Sequence, residues 1–263
     1  MSATAKVLKY DVRDLVRSRW LIGYTLFFAA VTDALLRFGG SAEKALLSLV
    51  SIALFVVPLV SLVFGTVYLY NAREFTELLL AQPVNRRQLF GGLYLGLALS
   101  LSAAFVVGVG APLLLEGGVD AAMRGPAAML LLTGVALTCS FTAVAFVVAI
   151  RTDDRLKGLG IAIATWLAAA IVYDGLVLIA VMMFGDYPIE RPLLAVMFAN
   201  PLDLARVLLL LQFDASALLG YTGAVFKDFF TGLGGTLVAA AALAGWIAAP
   251  IALGLRAFQR KDF

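Results

Sequence analysis

Few residues of this chain could do chemistry by themselves. There is no histidine, and Cys139 is the single cysteine among 263 residues. An intrachain disulfide, a zinc site and a Ser-His or Cys-His triad are excluded on that count, and with them the commonest general acid–base side chain. No catalytic residue and no metal ligand set is expected. What remains is a small group of polar residues in unusual places. Asp33 and Asp174 stand inside otherwise apolar stretches. The run Asn200-Pro201-Leu202-Asp203-Leu204-Ala205-Arg206 puts an acid and a base one helical turn apart. The segment from Asn71 to Leu89 mixes arginines, acids and leucines at close spacing. Met123, Met129, Met182, Met183 and Met197 offer thioethers, which bind soft Cu(I). Methionine is more commonly a flexible gap filler.

The elements that must hold these residues are membrane helices. Apolar residues make up 62% of the chain and charged residues 14%, against roughly 45–50% and 25% in soluble domains. A net charge of +3 gives no reason to expect nucleic acid as a partner. Crossing a hydrocarbon core of roughly 30 Å takes about 20 apolar residues, and six stretches qualify: 20–38, 46–70, 89–115, 127–150, 158–184 and 236–256. Pro58 and Pro250 are candidate kinks in the second and sixth. The first stretch starts late and is too long for the core of a cleavable signal peptide.

Of the 20 Lys and Arg residues, 14 lie in the N-terminal segment, the loops 71–88 and 151–157, and the C-terminal segment. The positive-inside rule then places both termini in the cytoplasm. Residues 3–19 predict a helix lying in the interface. Leu8, Val12, Leu15 and Val16 share one face, Lys6, Lys9, Arg13 and Arg17 the other, and the helix runs into Trp20 at the membrane boundary. The long outer segment 185–235 contains an apolar run too short to span. Asn200 as N-cap, Pro201 at the first helical position and Asp203 in the first turn predict a short helix there. Arg206 is expected to pair with Asp203. The fold expected is all-α and polytopic: an interfacial elbow helix, six transmembrane helices and a short external helix before the last span.

At 1.5 Å per residue, Asp33 and Asp174 lie roughly 20–24 Å from the cytoplasmic ends of their spans. An acid there costs about 2.5–3.5 kcal/mol on insertion scales and needs a cavity or a partner. For Asp33 the partner expected is Arg37, four residues on. Asp174 is expected to serve a gate or a structural bond.

The loop after the second span predicts a short amphipathic helix with Phe75, Leu78 and Leu79 at helical spacing beside Glu74 and Glu77. Pro83 ends it, and Asn85 with Gln88 opens the third span. An ordinary interhelical connection competes with an element that presents an apolar knob to a soluble motor. The turn Arg151-Thr152-Asp153-Asp154-Arg155 is either a second, smaller motor contact or a solvated charged turn.

Here the residues carry a resemblance. Arg73-Glu74, Glu77-Leu78-Leu79-Leu80 and Pro83-Val84-Asn85-Arg86-Arg87 resemble the coupling-helix pattern of type-2 ABC exporter permeases. Phe75-Thr76 stands where that family usually has Gly-Thr. Trp166 followed by Tyr173-Asp174-Gly175-Leu176, and Asn200-Pro201-x-Asp203-x-x-Arg206 followed by Phe213-Asp214, resemble the permease of nitrous-oxide-reductase maturation transporters, the NosY-like subfamily.

The resemblance implies a single ABC-2-type transmembrane domain over 1–263, acting as a homodimer in the cytoplasmic (inner) membrane. Two cytoplasmic ATPase subunits would carry ATP and Mg, because the chain has no phosphate loop of its own. It implies coupling residues Arg73, Glu74, Phe75, Glu77, Leu78, Leu79, Pro83, Arg86 and Arg87. Trp166, Tyr173, Asp174 and Asp33 become pathway or gate candidates. Asn200, Pro201, Asp203 and Arg206 become candidates for docking a periplasmic β-helical partner. The cargo implied is a small sulfur-containing species. The alternative is a general ABC-2 exporter of lipid, polysaccharide, peptide or drug.

Overall fold

The computed structural model describes residues 18–80, 84–115, 123–184, 190–213 and 233–261. Pro83, and all but the last two residues of the interfacial helix expected over 3–19, lie outside them. Among the described residues the chain is all-helical: α1 (Arg19–Phe38), α2 (Ala42–Asn71), α3 (Arg73–Leu80), α4 (Arg86–Leu115), α5 (Arg124–Arg151), α6 (Arg155–Leu167), a π-turn (Ala168–Val172), α7 (Tyr173–Phe184), α8 (Glu190–Phe198), α9 (Pro201–Gln212) and α10 (Leu233–Arg260). Six spans result: α1, α2, α4, α5, α6–π–α7 and α10. This is the polytopic architecture expected, with each predicted stretch extended by a few residues. Helices α2 and α10 run unbroken past Pro58 and Pro250.

In a bilayer, lipid is as apolar as leucine, so spans associate by close packing of small residues. Helix α4 shows this as a stripe. Gly92, Gly96, Ser100, Ala104, Gly108 and Pro112 recur every four residues, and all are buried. A methyl group on Gly108 would stand 2.8 Å from the Thr25 carbonyl oxygen of α1, and one on Gly65 of α2 would stand 2.8 Å from the Ala145 methyl of α5. Helix α5 is the hub, packed on α2, α4, α6, α9 and α10. Several hydroxyls in the spans bond back to their own helix, as Thr66 does to the Leu62 carbonyl at 2.7 Å and Thr138 to Gly134 at 2.8 Å. Phe90, Tyr94, Phe146 and Phe258 make an aromatic cluster joining α4, α5 and α10 near their basic ends.

Two departures from the expected layout matter. The fifth span is not one regular helix, because five residues at its middle are wound as a π-turn. The single short helix expected before the last span is an elbow of two, α8 and α9, bent by 111°.

Candidate functional site

At the basic end of the bundle, α2 stops at Asn71 and α3 begins two residues later. Arg73 on α3 reaches Glu77 one turn on at 3.2 Å and Asp153 in the turn between α5 and α6 at 3.5 Å. Thr76 is buried and donates to the Ala72 carbonyl at 2.7 Å, while Leu79 and Leu80 pack on the core. The opposite face of α3 is bare. Glu74 is exposed, Phe75 is 47% exposed and Leu78 is 69% exposed, although both are large and apolar. So α3 is seated by one face and presents an acid and an apolar knob on the other. Asn85 caps α4 through the Arg87 amide at 3.0 Å, one residue earlier than the capping box expected from Gln88.

Four further side chains stiffen this end. The Tyr70 hydroxyl donates to the Thr152 carbonyl at 2.8 Å and to that of Asp154 at 3.3 Å. The Asp154 side chain caps α6 by accepting from the Leu156 and Lys157 amides. Lys261 meets the Asp153 carboxylate at 2.9 Å and the Ile150 carbonyl at 2.7 Å, and Arg86 donates to the carbonyls of Gln259 and Lys261 at 3.2 and 2.7 Å. The Lys261 ammonium, with Arg73 behind it, holds the Asp153 carboxyl below its usual range. A depressed carboxyl contributes stability above its unfolded value and loses it as pH falls through the folded one, so this junction should persist through mildly acidic conditions.

Sequence reasoning singled out the 151–155 turn. It missed Tyr70 and Lys261, whose roles depend on long-range contact and leave no local signal. Tyr70→Phe removes the hydroxyl alone. It should cost about 1 kcal/mol and raise amide exchange at residues 151–156 without altering membrane insertion, as measured by hydrogen–deuterium exchange.

The far end holds the second cluster. Arg206 on α9 donates through one terminal nitrogen to Asp174 on α7 at 2.7 Å and to Asp203 at 3.2 Å. Asn200 does two jobs. Its oxygen caps α9 by accepting from the Leu202 amide at 3.1 Å, and its amide donates to the Ala169 carbonyl of the π-turn at 2.8 Å. The Tyr173 hydroxyl donates to the Val196 carbonyl of α8, and the Trp246 indole to that of Phe198 at 3.0 Å. These bonds fasten the elbow to the fifth and sixth spans. Beside them, Leu47, Ser51 and Phe55 of α2, Ala170, Leu202 and Arg206 border a groove of about 260 Å³.

Candidates that the sequence separates are thus brought together. Asp174 and Tyr173, gate candidates, bond the same elbow as the docking candidates Asn200, Asp203 and Arg206. Pro201 is buried at the first position of α9. Trp166 joins two spans through its indole bond to the Phe55 carbonyl at 3.1 Å and an edge contact with that ring at 4.6 Å. Asp33 pairs with Arg37 at 3.0 Å, as its spacing predicts.

Comparison with known proteins decides the family. A model described as "ABC-2 family transporter protein" matches residues 5–263. The chain belongs to the ABC-2 transporter family. Among curated relatives, this ABC-2 permease is 29% identical over 272 residues to a protein of Pseudomonas aeruginosa described as a probable ABC transporter permease protein NosY, covering 97% of each chain. It is 28% identical over 233 residues to the protein of the same description from Stutzerimonas stutzeri, covering 82% of the permease and 84% of the relative. Each of these similarities runs over most of both chains. Within this family the permease is the transport component, embedded as a multi-pass membrane protein.

Proposed function

We propose that the permease works as a homodimer with two cytoplasmic ATPase subunits, which carry ATP and Mg, and that α3 is the element the ATPase engages. The observation carrying this reading is the pairing of a seated face with a bare apolar face on an eight-residue helix at the basic end. Such a helix delivers a push from a soluble partner into α2 and, through Tyr70 and Asp153, into α6 and α10. The excess of Lys and Arg at this end supports a cytoplasmic placement in the inner membrane. The homodimer reading draws support from the fifth span, whose second half, α7, has no fully buried residue within one chain.

The cargo we infer is a small sulfur-containing species used in assembling the copper sites of nitrous oxide reductase. A periplasmic β-helical protein would dock over the elbow at Asn200, Pro201, Asp203 and Arg206. Support for this comes from the NosY descriptions of the relatives and from the Asn-Pro-x-Asp-x-x-Arg run. A second reading, an exporter of lipid, polysaccharide, peptide or drug, is favoured by the leucine-rich walls of the groove at Leu47, Leu54, Leu202 and Leu210.

Affinity purification of the tagged permease from its native membrane in mild detergent tests both. An ABC ATPase together with a secreted β-helical protein is the expected yield. An ATPase alone moves the assignment to the exporter, and the absence of any ATPase overturns the motor-driven reading.

A further inference from the structure

We propose that the π-turn Ala168–Val172 is a rotational switch in the fifth span, and that Asn200 is the latch that keeps it wound. A π-turn carries one residue more than the α-helix it interrupts. Each α-helical residue turns the chain by about 100°. Rewinding the turn to α would therefore rotate the whole of α7 by about that angle relative to α6. The two halves of the span are anchored to different bodies. The basic end of α6 is held by its Asp154 cap and the Tyr70 bonds, which tie it to α2. Helix α7 is held by Asp174 to Arg206 and by Tyr173 to Val196, which tie it to the elbow. The turn is thus the junction between a part fixed to the basic end and a part fixed to the elbow.

The latch is specific. A π-turn leaves carbonyls displaced from the α-helical bonding pattern, and the Asn200 amide donates to one of them, Ala169, at 2.8 Å. The wound turn also sets the azimuth at which Asp174 meets Arg206. With the turn rewound, Asp174 points away by about a quarter turn, the 2.7 Å pair is lost, and Arg206 is held by Asp203 alone at the edge of the groove that it lines with Ser51 and Ala170. Winding and the ion pair therefore rise and fall together, which is what a two-state element requires. The groove opens or closes with them.

The test needs no nucleotide and so stands apart from the identity of the motor. Spin labels at Ser51→Cys on α2 and Leu178→Cys on α7, in a Cys139→Ala background, report the azimuth of α7. Labelled chains are diluted with unlabelled ones in lipid nanodiscs, and distances are read by pulsed electron resonance. A rotation of about 100° moves a group at the surface of a helix 10–12 Å across by about 8 Å. Asn200→Ser keeps an oxygen that can cap α9 but cannot reach Ala169. It should introduce a second distance population displaced by several ångströms. Deleting Ala168 from Asn200→Ser removes the extra residue, leaves a plain α-helix with α7 at its wound azimuth, and should abolish that second population. A single unshifted distance in Asn200→Ser overturns the latch, and a displaced population that persists in the folded deletion overturns the switch. Should the deletion fail to fold, Asn200→Ser beside Asn200→Thr, which also keeps a capping oxygen and loses the amide donor without adding charge beside Asp203, decides: a single unshifted distance in both overturns the proposal.

Discussion

Leu78→Asp is expected to uncouple the permease from its ATPase while leaving it folded and inserted. The side chain is 69% exposed on α3 and touches little of its own chain, so the substitution removes almost no packing. Its value lies in what it offers a partner. Burying a leucine or phenylalanine contributes about 1.5–3 kcal/mol, and truncating a central anchor of an interface costs about 2–4 kcal/mol. That is roughly 30- to 1000-fold in ATPase affinity. A carboxylate in an apolar pocket adds a desolvation penalty, so the upper end of the range is expected. Phe75→Ser should behave alike at the lower end, because Phe75 is 47% exposed and partly supported by its own helix. Titration of detergent-solubilised permease with the purified ATPase measures the affinity, and the thermal midpoint of the permease alone checks the fold. Unchanged ATPase affinity in Leu78→Asp, with the fold intact, removes α3 as the coupling element.

The second large effect is expected at Arg206. Arg206→Leu leaves Asp174 and Asp203 side by side in an apolar setting with no cation between them. Hydrogen bonds to charged groups contribute about 1.5–3 kcal/mol, and a buried pair broken from one side costs more than that. Arg206 and Asp174 are each about a third exposed, at 37% and 36%, so solvent relieves part of the loss. The net cost is placed at about 2 kcal/mol. Asp174→Asn keeps an acceptor for the guanidinium and should be milder. Asp174→Leu leaves Arg206 with Asp203 and should fall between. The charge swap Asp174→Arg with Arg206→Asp should recover part of the loss, because the cation again lies between two acids. Thermal unfolding of the four variants, read beside transport by the reconstituted complex, distinguishes the cases. Equal stability and transport in Arg206→Leu and the unmodified chain shows that the cluster neither holds the elbow nor serves the gate.

The residues in these predictions were legible to different degrees. Leu78 and Phe75 were visible at once, because a short amphipathic helix with a following proline has a local signature and resembles a known pattern. The cap of α9 at Asn200-Pro201 was equally visible, and so was Asp33 with Arg37, four residues apart on one helix. The bond from Arg206 to Asp174 was not, although two charges in apolar stretches are a reason to seek a partner for each. They are 32 residues apart, and nothing local selects one partner over another. Tyr70, Lys261 and the Ala169 carbonyl left no trace for the same reason.

The six spans, their order and the uneven placement of Lys and Arg were determined by the sequence alone, because bilayer thickness and the charge asymmetry of the two surfaces act on length and composition. Which face of each span is buried was decided only in the tertiary structure. In a soluble helix the polar face marks the outside, but here lipid and protein interior are both apolar, so the spans carry little amphipathic signal to read. Rotation about each helix axis is settled by close approach at residues such as Gly65 and Gly108 and by polar bonds across helices. That rotation brings Asp174 to Arg206 and accompanies the π-turn at Ala168–Val172, where the extra residue has no counterpart in composition or period.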